Sequence, residues 1–229
     1  MVGLNAKQLP SGGGDFKRPD PMEPGTYPAR TVLIATLGVQ PQRPYQGEDK
    51  PPKLELLVTY EMLDEFMKDD DGDDLKDKPR WLTETFPFNN LDQDKAKSTK
   101  RYFALDPKGE VDGNWDQLID VPCMVTVVVN EGKGKNAGKF YEQVSNVSAM
   151  RPKEAGKAAE LVNAPVVFDF YHPDKAAYDA LPNWIKKKMT EAVDYEGSAV
   201  AAFGPVEDGP RKAPAIVAKD EPADDEIPW

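Results

Sequence analysis

The sequence predicts a mainly β chain: five strands closing into one small barrel, a helix between strands three and four, a small C-terminal helical appendage and a disordered acidic tail. Three observations lead there. Residues 121–150 hold two strong strand patterns joined by a glycine-rich turn. The elements before them read as three strands and a helical connection. Finally, 22 prolines and 30% charged residues in 229 leave much of the chain outside a single core.

Residues 25–37 form the first strand, and Pro28 near its start suggests an edge position there. After a loop over 40–52 holding Arg43, Tyr45 and Lys50, residues 54–62 alternate apolar and polar and form the second strand. The third, 81–88, is reached through an acidic loop. The pattern then turns helical: Asn89 or Asn90 caps, Asp92 and Asp94 fill the first turn, and Lys97, Lys100 and Arg101 gather toward the end before Pro107, as a helix dipole favours. A short helical piece over 115–119 leads into the fourth strand, 121–129, which is β-branched and nearly uninterrupted. The fifth, 139–147, alternates as a strand with one wet face does. Between them, residues 130–138 supply glycines for turning and two lysines against one acid. Strand, strand, strand, helix, strand, strand is the order of an OB-fold, a barrel that binds oligonucleotides on strands two and three and the flanking loops.

Four segments follow. Residues 1–24 are a glycine- and proline-rich flexible arm, 25–150 the OB-fold domain, 151–203 a linker and helical appendage, and 204–229 a disordered acidic tail. Within the appendage, 174–180 and 184–193 read as two short helices. The second is opened by Pro182 and buries Trp184, Ile185, Met189, Ala192 and Val193, a stripe that docks on the barrel or meets another copy.

The single cysteine, Cys123, lies in the most apolar strand and reads as a buried hydrophobe, so neither a disulfide nor a cysteine zinc cluster forms within one chain. No run approaches the roughly 18 apolar residues of a membrane span, and no signal peptide is read, which predicts a soluble intracellular protein. The formal charge of −11 is unevenly placed. Residues 64–78 carry eight acids against three lysines and 207–229 seven acids against three cations, so the rest is close to neutral and has room for a basic face.

Several motifs fail on spacing. With Gly72 set at the sixth position of a calcium loop, Met67 and Lys78 occupy the first and twelfth, where carboxylates are required. The Gly132 to Lys139 run is mis-spaced for a P-loop, puts Phe140 where a hydroxyl belongs and joins strand to strand. His172, the only histidine, has no nucleophile motif to serve. No catalytic residue, metal site or cofactor is therefore assigned, and the chain is read as no enzyme.

In an OB-fold, Tyr45, Trp81, Phe86, Phe88 and Tyr141 fall where bases stack, and Arg43, Lys50, Arg80, Lys100, Arg101, Lys133, Lys135 and Lys139 are the nearby cations for phosphates. Tyr27, Tyr60, Phe66 and Trp115 are assigned to the core. The chain ends in acids followed by Ile-Pro-aromatic: Asp224, Asp225, Glu226, Ile227, Pro228 and Trp229. This tail resembles those of single-stranded DNA-binding proteins, with Trp229 where they carry phenylalanine. With the OB-like core, the 97–102 run and the 181–185 run, the whole resembles a bacteriophage single-stranded DNA-binding protein. That resemblance implies coating of single strands during replication and recombination in the cytoplasm of an infected bacterium, and recruitment of replication proteins by the tail. The competing reading is a non-catalytic protein-interaction or DNA-mimic module that acts through the acidic loop and tail.

Overall fold

β1 (Gly25–Gln40) is apolar on both faces and accordingly takes the middle of the sheet. The computed structural model describes residues 20–44 and 47–204, apart from the Lys135 side chain. β2 (Lys53–Lys68), β3 (Asp74–Pro87), β4 (Pro122–Glu131) and β5 (Phe140–Ala149) give the antiparallel order β3-β2-β1-β4-β5, and β6 (Val166–Phe168) adds a sixth strand parallel to β1. The fold is thus mainly β. One edge of β1 pairs with β2 from Ala29 to Gln40. Its other edge is shared, Gly25 to Arg30 taking β4 and Leu33 to Ala35 taking β6. Pro28 sits opposite Met124 of β4 and just before the first β2 partner, so its missing N–H falls where β1 is unpaired toward β2.

The ladder does not close into the expected barrel. β3 and β5 are its two ends, and side chains bridge them: Arg80 of β3 pairs with Glu142 of β5, and Arg101 reaches both Glu84 of β3 and the Ser145 carbonyl of β5. Inside the curl lies one core, with Leu56, Val58, Tyr60, Met62, Leu82, Phe86, Cys123, Val125, Val127, Val144 and Val147. α1 (Lys97–Leu105) and the 3-10 turn Trp115–Leu118 plug it with Tyr102, Leu105, Trp115 and Leu118. Tyr27 only packs against this core and Phe66 is half-buried, so of the four assigned core aromatics Tyr60 and Trp115 are the enclosed ones.

A second core lies on the opposite face. Val32, Leu33, Ala35, Leu37 and Leu57 pack against Phe168, Phe170, Tyr178, Leu181, Ile185, Met189 and Ala192. The wet face predicted for strand two is therefore dry around Leu57, Thr59 and Glu61, because the C-terminal segment lies over it. Bulges in β1 between Thr31 and Leu33 and between Thr36 and Val39 let the strand serve both cores. Gly38 in the second bulge has φ +76, and a Cβ there would meet Ala192 and Phe170 at 2.9 Å.

The helices need corrections. Residues 91–95 form turns, with the Asn90 side chain accepting from Asp92 N–H at 3.1 Å, and α1 begins only at Lys97. Asn and Asp favour such local turns over helix, so the acids precede the helix and Lys97, Lys100 and Arg101 occupy its first half. α3 (Lys175–Ala180) is capped by Asp174, and α4 (Asn183–Thr190) follows Pro182. Ile185, Met189 and Ala192 face the core, but Trp184, on the side of α4 away from the sheet, and Val193, in the turn beyond its end, are 52% and 60% exposed. Met22 is buried and its N–H donates to Glu142, so the last residues of the predicted N-terminal arm belong to the fold.

Candidate nucleic-acid interface

β4 and β5 turn Cys123, Val125, Val127, Val144 and Val147 inward, which by strand alternation sends Met124, Thr126, Val128 and Asn130 outward beside their partners Ser148, Asn146, Gln143 and Tyr141. Not one of these eight side chains is charged. Asn130 donates to Gln143 at 2.9 Å, and a Thr26–Thr126 hydroxyl contact of 3.0 Å carries the strip onto β1. The seven residues of strand from Met124 to Asn130 make it about 20 Å long.

Cations stand at both ends. At the β4–β5 turn, Gly132 N–H bonds the Lys139 carbonyl at 2.8 Å, and a 3-10 turn, Gly134–Asn136, folds the tip. A Cβ on Gly132 would sit 2.5 Å from the Asn136 carbonyl oxygen and 2.9 Å from the Tyr141 ring, so only glycine lets the tip close on that ring. Lys133 and Lys139 are exposed there, with Phe140 51% exposed and Tyr141 half-buried. At the far end, α2 (Pro152–Ala155) and its flanks place Arg151, Lys153 and Lys157 around a shallow cleft of about 480 Å³. Glu154 shares that cleft and takes a bond from Arg151 at 3.0 Å. Arg30 holds the α2 segment down by donating to the Ala159 carbonyl at 2.8 Å.

The other sequence-predicted residues are distributed differently. Tyr45, the Lys135 side chain and the stretch from Asp224 to Trp229 lie outside the described residues. Arg43 and Lys50 are exposed on the β1–β2 loop, and Lys100 is exposed on α1. Arg80 is a structural tie, donating to the Asp20 carbonyl at 2.8 Å and pairing with Glu142. Trp81, placed where bases stack, instead packs against the second core, and its indole N–H donates to buried Glu61 at 2.9 Å. Glu61 also accepts from Val162 N–H and the Asn163 amide, so the C-terminal segment covers this part of the β2–β3 face. Phe86 is in the first core and Phe88 packs edge-on to Trp115 at 6.1 Å. Arg101 is 4% exposed. Phe86 and Arg101 are thus interior residues and Trp81 is half-buried, because β3 is covered outside by the appendage and inside by α1.

Sequence reasoning passed over the uncharged strip and the Arg151, Lys153 and Lys157 cluster. Alternation counted outward from Val144 and Val147 marks the strip, but nothing local says that α2 folds to its end. It also passed over Phe103, 51% exposed on α1 one turn beyond Lys100.

The buried ionisable groups are structural. Glu84 accepts from Arg101 Nε at 2.7 Å, from Lys97 at 2.7 Å and from the Tyr60 hydroxyl at 2.9 Å. Burial, and then the Glu84 charge, push the Tyr60 hydroxyl well above its usual value and the Cys123 thiol up to about 12. A thiol so held stays protonated at neutral pH and is a poor nucleophile. His172 Nδ1 lies 2.8 Å from Asp169 on the exposed side of the appendage. Among the described residues, no three His, Cys, Asp or Glu side chains gather as a metal would require, and no helix is long and apolar enough to cross a membrane. No protein-family model matches the chain, and no curated protein matches it in sequence.

Proposed function

We propose that the chain is a non-catalytic single-stranded DNA-binding protein built on an OB-like, partly open sheet. It holds phosphates on Lys133 and Lys139 at one end and on Lys153 and Lys157 at the other, with bases against Tyr141 and the uncharged strip between. The observation that carries this reading is the strip itself. In a chain of net charge −11 it holds no carboxylate to repel a phosphate backbone, yet it is bounded by exposed cations and carries the Tyr141 ring at one end. The bacteriophage resemblance adds replication and recombination in an infected bacterial cytoplasm as the setting, with Asp224, Asp225, Glu226, Ile227, Pro228 and Trp229 as the segment that recruits replication proteins.

One observation favours the protein-interaction reading. The β2–β3 tip is a rigid acidic hairpin, in which the Asp69 carboxylate accepts from Asp71 N–H at 3.0 Å and Asp73 N–H at 2.9 Å. Titration with oligo-dT at several salt concentrations separates the two. A single strand contacted through phosphates gives log affinity falling with log salt by about 0.7 per contact. The Lys133→Ala, Lys139→Ala double variant is expected to weaken binding of every sequence and to flatten that slope by about one to one and a half. Absence of binding, or an unaltered slope in the variant, removes the strip from the function.

A further inference from the structure

The strip runs toward α2 into a cleft of about 350 Å³ that shares Glu154 and Lys157 with the basic one. Pro28, Leu63, Met124 and Met150 line it with apolar surface, and Asp64 and Lys157 stand among its polar walls. Pro28 and Met124 are direct partners across the β1–β4 ladder, so their side chains lie together on the outward face. Leu63 and Asp64 reach the cleft because the β2–β3 register breaks between Glu61 and Phe66, and such irregularities re-aim side chains. The opposite wall, at Ala158 and Ala159, is held by Arg30.

We infer that this cleft is the seat of one nucleobase of the bound strand, its ring lying on Met124 and Met150, its exocyclic amino group donating to Asp64, and its phosphate meeting Lys157. The inference rests on the single-strand reading and adds a base preference to it. Two methionines suit a flat, variable guest: thioethers adapt their shape and make favourable contacts with aromatic rings. The polar partner narrows the choice. An ionised carboxylate only accepts, so it pairs with bases that offer an amino donor, as cytosine and adenine do, while thymine presents a carbonyl oxygen and a methyl group at the corresponding edge. Burial raises the Asp64 carboxyl from its ordinary value, the mark of a carboxylate whose hydration is incomplete. The chain's own acidic segment from Asp220 onward is the other candidate guest, and it is disfavoured because residues 220–229 carry no side-chain amino group to pair with Asp64.

The test uses the full chain with oligo-dC and oligo-dT of equal length, read by fluorescence anisotropy in competition. The wild-type protein is expected to bind oligo-dC about five- to tenfold more tightly than oligo-dT, the scale of one discriminating base contact. Asp64→Asn is expected to bring that ratio to about one, because an amide both donates and accepts. Asp64 is exposed, so the variant folds. Met124→Ala is expected to lower affinity for both oligomers by a similar factor and to lose this effect on an abasic oligomer. An Asp64→Asn ratio equal to wild type overturns the base seat, and it does so without touching the function above if Lys133→Ala, Lys139→Ala still weakens binding. A wild type that binds neither oligomer overturns both. A Met124→Ala variant that binds both oligomers more tightly than wild type, with the difference gone once residues 220–229 are deleted, assigns the cleft to the acidic segment and overturns the base seat.

Discussion

Asp106 closes α1, and three donors tie its side chain. It accepts from Glu110 N–H at 2.8 Å, Val111 N–H at 3.1 Å and the Tyr102 hydroxyl at 3.2 Å, while that hydroxyl accepts from Gly113 N–H at 2.6 Å. One carboxylate thereby orders the whole return from α1 toward the 3-10 turn that buries Trp115. Burial pushes its carboxyl up, but the three donors prefer the charged form and leave it below the ordinary aspartate value. Since the folded value is the lower one, the stabilisation is complete above the unfolded value near 3.9 and disappears as pH falls through the folded value. Urea midpoints measured from about pH 5 down to about pH 2 are expected to drop more steeply for wild type than for Asp106→Asn, which starts less stable at neutral pH. Parallel acid limbs would show that Asp106 is not the group responsible.

At the scale of elements, the open seam between β3 and β5 is the feature most dependent on a few side chains. Backbone bonds end at those strands, so side chains do the joining: beside the direct Arg80–Glu142 pair, Arg101 of α1 donates through Nε and Nη2 to Glu84 on β3, at 2.7 and 3.2 Å, and through Nη2 to the Ser145 carbonyl on β5. Glu84 and Arg101 side chains are each only 5% exposed. Removing one partner of such a buried pair strands the other, at a cost of about 3 to 5 kcal/mol. Arg101→Ala is expected near the lower end, about 3 kcal/mol by chemical denaturation, because Lys97 still reaches Glu84. Replacing both, Glu84→Leu with Arg101→Met, is expected to recover most of the loss, as apolar side chains of similar volume fill a buried ionic site without the desolvation cost. A double variant as unstable as Arg101→Ala would mean that the seam needs charge as such.

Over the whole molecule, charge is polarised by the topology. β2 runs out at Lys68 and β4 at Glu131, both at the end of the sheet where β1 begins, so the acidic β2–β3 tip and the basic β4–β5 tip project from the same end. A polyanion is drawn to one and turned from the other, which orients it along the strip. The last ten residues of the sequence hold five acids on the same chain, and tethering gives them an effective concentration that approaches millimolar at cationic sites within reach. Deleting residues 220–229 is expected to strengthen oligo-dT binding a few-fold at low salt, with the difference fading near 200 mM where the screening length is about 8 Å or less. Equal affinities at low salt would mean that this segment does not compete.

β4 and β5 were legible in the residues themselves because alternation and β-branched runs are local consequences of the pleat, and they appear within a residue or two of where 121–129 and 139–147 place them; β2 and β3 instead extend to Lys68 and back to Asp74, into the stretch read as an acidic loop, and β6 was not read as a strand. The two helices over 174–180 and 184–193 were also legible, the second through the proline at its start, although α4 ends at Thr190. The lysines of the β4–β5 turn and Tyr141 needed no more than a glycine-rich gap between two strands. What lay beyond local pattern was which face each strand would cover. Trp81 reads as a ligand-facing ring until the chain returns some eighty residues later and Asn163 meets Glu61 beside it. Phe86 and Arg101 read as surface groups until α1 folds between β3 and β5. Whether the sheet closed was equally out of reach, because closure depends on the distance between two edges set by every strand between them. Local sequence therefore determined the elements and the cationic turn, while tertiary packing decided which side chains remained outside, since burial is a property of what the rest of the chain brings against a residue.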